Sequence, residues 1–355
     1  MKFAEYLKIY KQNINTAIKQ IFENRIQKLK NSFLKDYYTE LKDYFLVGGK
    51  RIRPLLCIAS YNAFKEQQDD KIVPASVGIE FLHNASLIHD DIIDKDDYRR
   101  GNPAFHFRFK NYYKGYNFKK NNDIDFGNSI GIIGGDTAFF LGLEAYLFNN
   151  FEKELNNRAI SLYEQAFIDI ANGVLIEIDM VNKEKIEMED YIKMISLKTS
   201  ALIEKALLIG ANYAQVDKTH ENDLSIYGIN LGIVFQIIDD ILGTFGDEKI
   251  TGKPTDGDIR EGKKTCLLIL AINNLNSNKQ KELKRILNKD EINNVDIENV
   301  KNLFIEADVI NLSKKLADNY YQKAKSALNN LQDHINPQEY ELFDDLLSFV
   351  MNRVY

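Results

Sequence analysis

The sequence predicts an all-α protein, a single large helical bundle around a central apolar cavity. Three observations carry that prediction. Only 5 of the 355 residues are proline, so few positions break a helix. Apolar residues recur at helical spacing, as in Leu7, Ile14, Ile18, Ile21, Ile26 and Leu29. No stretch alternates with period two for long enough to suggest a sheet. Hydrophobic residues make up 45% of the chain and charged residues 28%, an ordinary globular composition able to fill one large core. There is no internal repeat, low-complexity tract or Pro/Gly/Ser linker, so residues 1–355 read as one domain.

Residues 3–45 read as helices, and "GGKRIRP" (48–54) breaks the pattern. Apolar helices follow over 55–66 and 74–94, the second opening at Pro74, where proline is tolerated. Residues 107–128 are polar, basic and aromatic and read as a solvated loop. Helices are expected over 131–150, 158–181, 189–216 and 220–243, then a Gly- and Asp-rich break over 244–264, then helices over 265–355. The longest apolar stretch, "SIGIIGGDTAFFLGLEAYLF" (129–148), is interrupted by Asp136, Glu144 and four glycines, so a buried core helix is expected there and no membrane span. The net charge of −6 argues against nucleic acid as a partner. Cys57 and Cys266 lie in apolar surroundings, with no metal-type or disulfide spacing. They read as buried thiols of a reducing compartment, and a cytoplasmic location is expected. The N-terminus has no uninterrupted apolar run of the secretory kind.

The chemistry concentrates in two acidic runs that each end an apolar helix. In "LIHDDIIDKDDYRRG" (87–101), Asp90 and Asp94 are spaced i, i+4 and share one helix face. Two bare carboxylates there repel by a few tenths of a kcal/mol. A cation relieves this, and hard oxygens suit Mg²⁺, which takes one or two carboxylates plus phosphate oxygens. The construction repeats in "FQIIDDILGTFGDEKITGKPTDGDIREGKKT" (235–265), where Asp239 and Asp240 follow an apolar helix, Gln236 precedes them by one turn, and Lys253 and Lys263 come after. Lys50, Arg51 and Arg53 in "GGKRIRP" enter a helix from a glycine loop, an arrangement that can hold phosphate but lacks P-loop spacing. Arg99 and Arg100 follow the first acidic run, Lys198 and Thr199 interrupt a helix, and His83 lies two turns before Asp90. Carboxylates, Mg²⁺ and lysines suit a diphosphate, and apolar helix walls suit a hydrocarbon, so the expected ligand is a lipid diphosphate.

With these motifs in this order, the sequence resembles the trans-isoprenyl diphosphate synthases, the farnesyl/geranylgeranyl/polyprenyl diphosphate synthase family, from about residue 40 onward. The "DDILGTFGDEKITGKP" form looks most similar to archaeal short-chain members. The resemblance implies Mg²⁺-dependent head-to-tail condensation of isopentenyl diphosphate with an allylic diphosphate, by a homodimer. It assigns Asp90, Asp94 and Asp239 to Mg²⁺. It assigns Lys198, Thr199, Gln236, Lys253 and Lys263 to the allylic diphosphate or its developing cation, Arg99 to the allylic side, and Lys50, Arg53, His83 and Arg100 to isopentenyl diphosphate. Ala85 and Ser86, five and four residues before Asp90, are small where farnesyl-type members carry a bulky floor. A product of at least twenty carbons, geranylgeranyl diphosphate, is therefore expected, stopped by deeper residues such as Phe139, Phe140, Ile79 or Leu82. Three features depart from the family pattern: Gly243 stands where a third aspartate is common, segment 107–128 is long, and Asp256 replaces a glycine. Asp247 has the wrong spacing to replace that aspartate on the same helix face. The rival readings are a longer-chain or farnesyl synthase, a terpene cyclase or head-to-head synthase, and a non-catalytic regulatory subunit. Cyclases and head-to-head enzymes lack an isopentenyl site, and regulatory subunits usually lose one aspartate pair, whereas both pairs stand here.

Overall fold

The computed structural model describes residues 3–116, 122–246 and 255–353. These residues are almost wholly helical. The one strand pairing among them is a two-residue hairpin of β1 (Tyr98–Arg99) and β2 (Asn102–Pro103). The chain forms two compact units, Met1–Gln165 with Ala206–Asp217, and Ala166–Lys205 with Lys218–Tyr355.

The first unit holds α1 (Phe3–Ile26), α2 (Ser32–Leu46), α3 (Ile52–Asn62), α4 (Val73–Ile93), α5 (Phe105–Tyr116) and α6 (Asp123–Leu147). It also takes the first part of α7 (Lys153–Val181) and the last part of α9 (Ala201–Ala214). The i, i+4 rhythm of α1 buries Tyr6, Tyr10, Ile14, Ile18 and Phe22. Phe22, Phe45 and Phe81 form its aromatic centre, with ring centroids 4.7–5.3 Å apart. Helix α4 carries the first acidic run and packs along α6, which can approach because its contact face is glycine. A Cβ at Gly135 would lie 2.1 Å from the His89 ring.

Two expectations are corrected in this unit. Residues 107–128 are not one loop: α5 spans 105–116 and α6 begins at Asp123. The basic and polar residues of α5 hid its apolar pair, Phe105 and Phe109, which are buried beside Tyr37. Nor is α6 buried all round. Its glycine face is buried, while Ile133, Phe140 and Leu147, seven residues apart, are exposed, Phe140 by 73%.

The second unit holds the rest of α7 and α9, α8 (Met188–Ile195), and α10 (Lys218–Phe245), which carries the second acidic pair. After these come α11 (Gly257–Arg260), α12 (Cys266–Asn274), α13 (Ser277–Leu287), α14 (Asn294–Glu306), α15 (Val309–Asn330) and α16 (Pro337–Met351). Helix α10 lies against α15 and α16, where the buried Tyr227 hydroxyl donates to the Phe343 carbonyl at 2.7 Å. Between α8 and α9, residues Ser196–Ser200 form a single π-turn, closed by the Ala201 N–H to the Ser196 carbonyl. Helices α6 and α10 are long and apolar enough to cross a membrane, but 44% and 67% of their apolar windows are buried in the protein.

Candidate active site

Helix α4 ends in its acidic run. Asp90 and Asp91 lie in the last turn, Asp94 is the C-cap, and that turn contains no basic residue of its own to offset the partial negative charge of the helix end. The carboxylates there have different surroundings. Asp91 is fully buried, paired with Arg99 and bonded to the Tyr44 hydroxyl at 3.2 Å. Burial pushes Asp91 up to about 6 although Arg99 pulls it down; burial lowers Arg99 in turn, but Asp91, with Tyr44 and Asp90, more than offsets this and leaves it above its ordinary value. Asp90 and Asp94, one turn apart and part-exposed, are the two on the open side. Ser86 is part-exposed on the same helix, while Ala85 is fully buried.

The hairpin after α4 brings Arg100 over the glycine turn that leads to α3, where a Cβ at Gly49 would lie 3.1 Å from its guanidinium. His83 lies among these cations. Burial, then Arg53, Arg100, Arg99 and Arg51, hold it well below its ordinary value, so it is neutral at pH 7. The first unit thus gathers Arg53, His83, Arg99 and Arg100, with exposed Lys50 in the adjoining turn. Arg51 is different. It adopts a left-handed φ of 54°, and its buried side chain reaches Glu80 at 2.8 Å, Asn15 at 2.9 Å and the Phe45 carbonyl at 2.5 Å. These bonds offset the backbone strain and anchor the turn from inside.

In the second unit, Lys198 and Thr199 sit in the π-turn, a distortion that often marks a functional site. Gly173 of α7 admits it, since a Cβ there would lie 2.4 Å from the Lys198 backbone nitrogen. Lys198 pairs with Glu177. The Thr199 hydroxyl donates to Gln236 Oε1 at 2.7 Å, and Gln236 Nε2 donates to Asp240 Oδ1 at 2.9 Å. The Tyr191 hydroxyl donates to Asp240 Oδ2 at 2.7 Å. Burial and the Asp258 carboxylate push Asp240 up to about 7, while Gln236 and Tyr191 pull it down. Asp239, by contrast, is part-exposed and accepts from Arg353 Nη1 at 2.6 Å, with that guanidinium 5.1 Å from the Phe235 ring. A cleft of about 110 Å³ is lined by Lys198, Thr199, Gln236, Asp240, Asp258 and Lys263, among others. Asp258 Oδ2 lies 3.4 Å from where a side chain at Gly243 would begin, so a carboxylate from another segment stands beside the site of the missing third aspartate.

Lys253 and Asp247 lie outside the described residues. Phe139 sets its ring 5.6 Å from His89, but Phe140 points to solvent and forms no floor within this chain. Tyr191, Glu177, Asp258 and Arg353 were not foreseen as site residues. Tyr191 is seven residues before Lys198, two turns back on one face, but a lone tyrosine at that spacing reads as core.

The donor set fits Mg²⁺. It is all oxygen, and Asp90 and Asp94 are paired and part-exposed. Asp239 already attracts a cationic group in Arg353, and Gly243 leaves room beside Asp258. Among the described residues no three acidic, His or Cys side chains converge.

The polyprenyl synthetase family model matches residues 35–304. The chain is 31% identical over 339 residues to the short chain isoprenyl diphosphate synthase of Methanocaldococcus jannaschii, covering 95% of this chain and 96% of that protein. It is 32% identical over 339 residues to the geranylgeranyl diphosphate synthase of Sulfolobus acidocaldarius, covering 93% and 92%. Among solved structures, the geranylgeranyl pyrophosphate synthase of Corynebacterium glutamicum, complexed with isoprenyl diphosphate and magnesium, superposes with a TM-score of 0.90 at 25% identity over the whole of both chains.

Proposed function

We propose a specific reaction for this chain, which belongs to the polyprenyl synthetase family: it is a trans-prenyltransferase that condenses isopentenyl diphosphate with an allylic diphosphate, and its product is geranylgeranyl diphosphate. The observation that carries this reading is the pairing of Thr199 and Gln236 oxygens with Lys198 in one cleft, beside the second acidic pair. Such a cleft offers positive charge to a departing diphosphate and oxygen dipoles to a carbocation. Asp90, Asp94, Asp239 and Asp258 are the groups that would hold Mg²⁺, Asp258 supplying the carboxylate that Gly243 lacks. Bound Mg²⁺ supplies charge neutralisation on the leaving diphosphate.

The residues of this chain do the rest. Lys198, Lys253, Lys263 and Arg99 bind the allylic diphosphate. As its C–O bond breaks, the Thr199 and Gln236 oxygens face the positive carbon. Lys50, Arg53, Arg100 and neutral His83 hold the isopentenyl diphosphate, whose double bond attacks that carbon. A proton then leaves the adjacent carbon for the released diphosphate, restoring a double bond. Neutral His83 can hydrogen-bond a phosphate oxygen without taking that proton.

The enzyme works as a homodimer in a reducing, cytoplasmic setting, as its two buried free thiols suit. The exposed stripe Ile133, Phe140 and Leu147 on α6 repeats every seven residues, the spacing of one helix face laid on another. Phe140→Asp should yield a monomer in light scattering, and an unchanged dimer would place the interface elsewhere. The reaction is tested by incubating the protein with Mg²⁺, isopentenyl diphosphate and each short allylic primer, then separating the dephosphorylated products. A twenty-carbon alcohol is expected. Diphosphate released without isopentenyl diphosphate would favour a cyclase, and no elongation with any primer would overturn the reading.

A further inference from the structure

We infer that Tyr191 is a positioning residue that fixes the amide of Gln236, through Asp240, so that oxygen and not nitrogen faces the developing carbocation. The inference rests on the reading above, that Thr199 and Gln236 face the cation. It starts from a chain of hydrogen bonds: the Tyr191 hydroxyl to Asp240 Oδ2 at 2.7 Å, Gln236 Nε2 to Asp240 Oδ1 at 2.9 Å, and the Thr199 hydroxyl to Gln236 Oε1 at 2.7 Å. A glutamine amide has one accepting and one donating end, and its surroundings decide which way it turns. Here both oxygens of Asp240 accept, Oδ2 from the Tyr191 hydroxyl and Oδ1 from the NH₂ end of Gln236. The carbonyl end is left to take the single O–H of Thr199. What remains for the cleft is the second lone pair of Gln236 Oε1 and the lone pairs of Thr199 Oγ1. These are the negative ends of two dipoles, in a place where a positive carbon forms.

Turned over, the amide would set its carbonyl oxygen against Asp240, lose that bond, and bring its NH₂ group to the cleft side, where Thr199 Oγ1 could accept only one of the two N–H groups. The direction of the amide therefore depends on Asp240 keeping Oδ1 toward Gln236. A carboxylate can swing about its Cβ–Cγ bond. Asp240 is held from its other oxygen by Tyr191, with the Cys266 thiol 3.8 Å from the same atom. Tyr191 is 1% exposed and Asp240 4% exposed, so no bulk water replaces the hydroxyl if it is removed. Tyr191 lies on α8, one turn before the π-turn that carries Thr199, so both ends of the hydrogen-bond chain come from one continuous segment. Its hydroxyl is committed to Asp240, and its effect on the reaction passes through that carboxylate.

The test uses the full-length enzyme with Mg²⁺ and two non-reacting prenyl diphosphates. One carries an ammonium nitrogen in place of carbon 3, the other the neutral carbon isostere. Wild type should bind the ammonium compound more tightly. In Tyr191→Phe that preference should fall about tenfold, the scale of one hydrogen bond to a charged acceptor. The kcat should fall by a similar factor, with both KM values within about twofold. A purely structural loss would weaken both compounds alike. If Tyr191→Phe melts far below wild type, Asp240→Asn gives the same reading, because its amide can donate and so tolerates the turned glutamine. Taking the ratio of two diphosphates cancels any change at the neighbouring Asp239. An undiminished ammonium preference in a folded variant overturns the inference. A wild type without any such preference instead overturns the assignment of Thr199 and Gln236 to the cation, and the inference falls with it.

Discussion

Three basic residues within four positions, Lys50, Arg51 and Arg53, look equivalent in sequence, yet one is structural. Arg51 turns inward to Glu80 through a left-handed backbone that periodicity cannot reveal, because it depends on a partner 29 residues away. His83, two turns before Asp90, read by itself as a core histidine and was assigned to isopentenyl diphosphate only by the family resemblance; its charge state was not legible, since that is set by burial and by arginines from other segments. Its neutrality has a measurable consequence. In the unfolded chain a histidine titrates near 6.5. In the folded protein His83 titrates well below that. Its contribution to stability is therefore fully present above about 6.5 and is lost as pH falls toward the folded value, because only the unfolded chain takes up the proton. Below about pH 6.5, wild type should lose up to about 1.4 kcal/mol per pH unit more than His83→Gln in urea unfolding. Parallel pH dependences would show that His83 takes up its proton in the folded protein as readily as in the unfolded chain.

At the scale of elements, α4 and α10 were legible almost to their ends, because an apolar run closing in aspartates marks both the helix and its stop. Helix α5 was not, because its buried aromatic pair is diluted by lysine, arginine and asparagine on the other faces. The π-turn was visible only as an odd Lys-Thr in an apolar helix, since an extra residue per turn leaves no mark in composition. The direction of side chains on α4 refines the chain-length argument. Ser86 is four residues before Asp90 and about 40° from it around the helix axis, whereas Ala85 is about 140° away. Ser86 is part-exposed and Ala85 is buried. Ser86→Phe should thus shift products from twenty toward fifteen carbons with an unchanged melting temperature. Ala85→Phe, entering a filled position, should cost about 1–3 kcal/mol of stability as well. Chromatography of the dephosphorylated alcohols together with thermal melts separates the two, and twenty-carbon product from folded Ser86→Phe would remove Ser86 from the channel wall.

At the scale of the whole molecule, the all-α class followed from scarce proline and helical spacing, while the half-open α6 did not. Its composition is apolar on every side, and only packing decides which side is covered. The placement of the acids reaches furthest. Helix α4 ends on carboxylates with no cation in its last turn, and α10 carries its own pair within two turns of its end. Like charges at a helix C-terminus work against the dipole as well as each other, each by a few tenths of a kcal/mol or more. The folded chain therefore holds like charge together that the unfolded chain disperses, part of it already offset by Arg99 on Asp91 and Arg353 on Asp239, and the repulsion left over is what a bound cation would relieve. Any ion that relieves it binds the folded state alone, and mass action then ties folding to metal supply, at about 2.7 kcal/mol for a hundredfold excess over the dissociation constant. With inorganic diphosphate present, Mg²⁺ should raise the melting temperature, a chelator should reverse the rise, and Asp90→Asn should blunt it. A melting temperature indifferent to Mg²⁺ would mean that the acids are not its ligands. If it does respond, the free magnesium of the cell sets how long each molecule lasts as well as how fast it turns over.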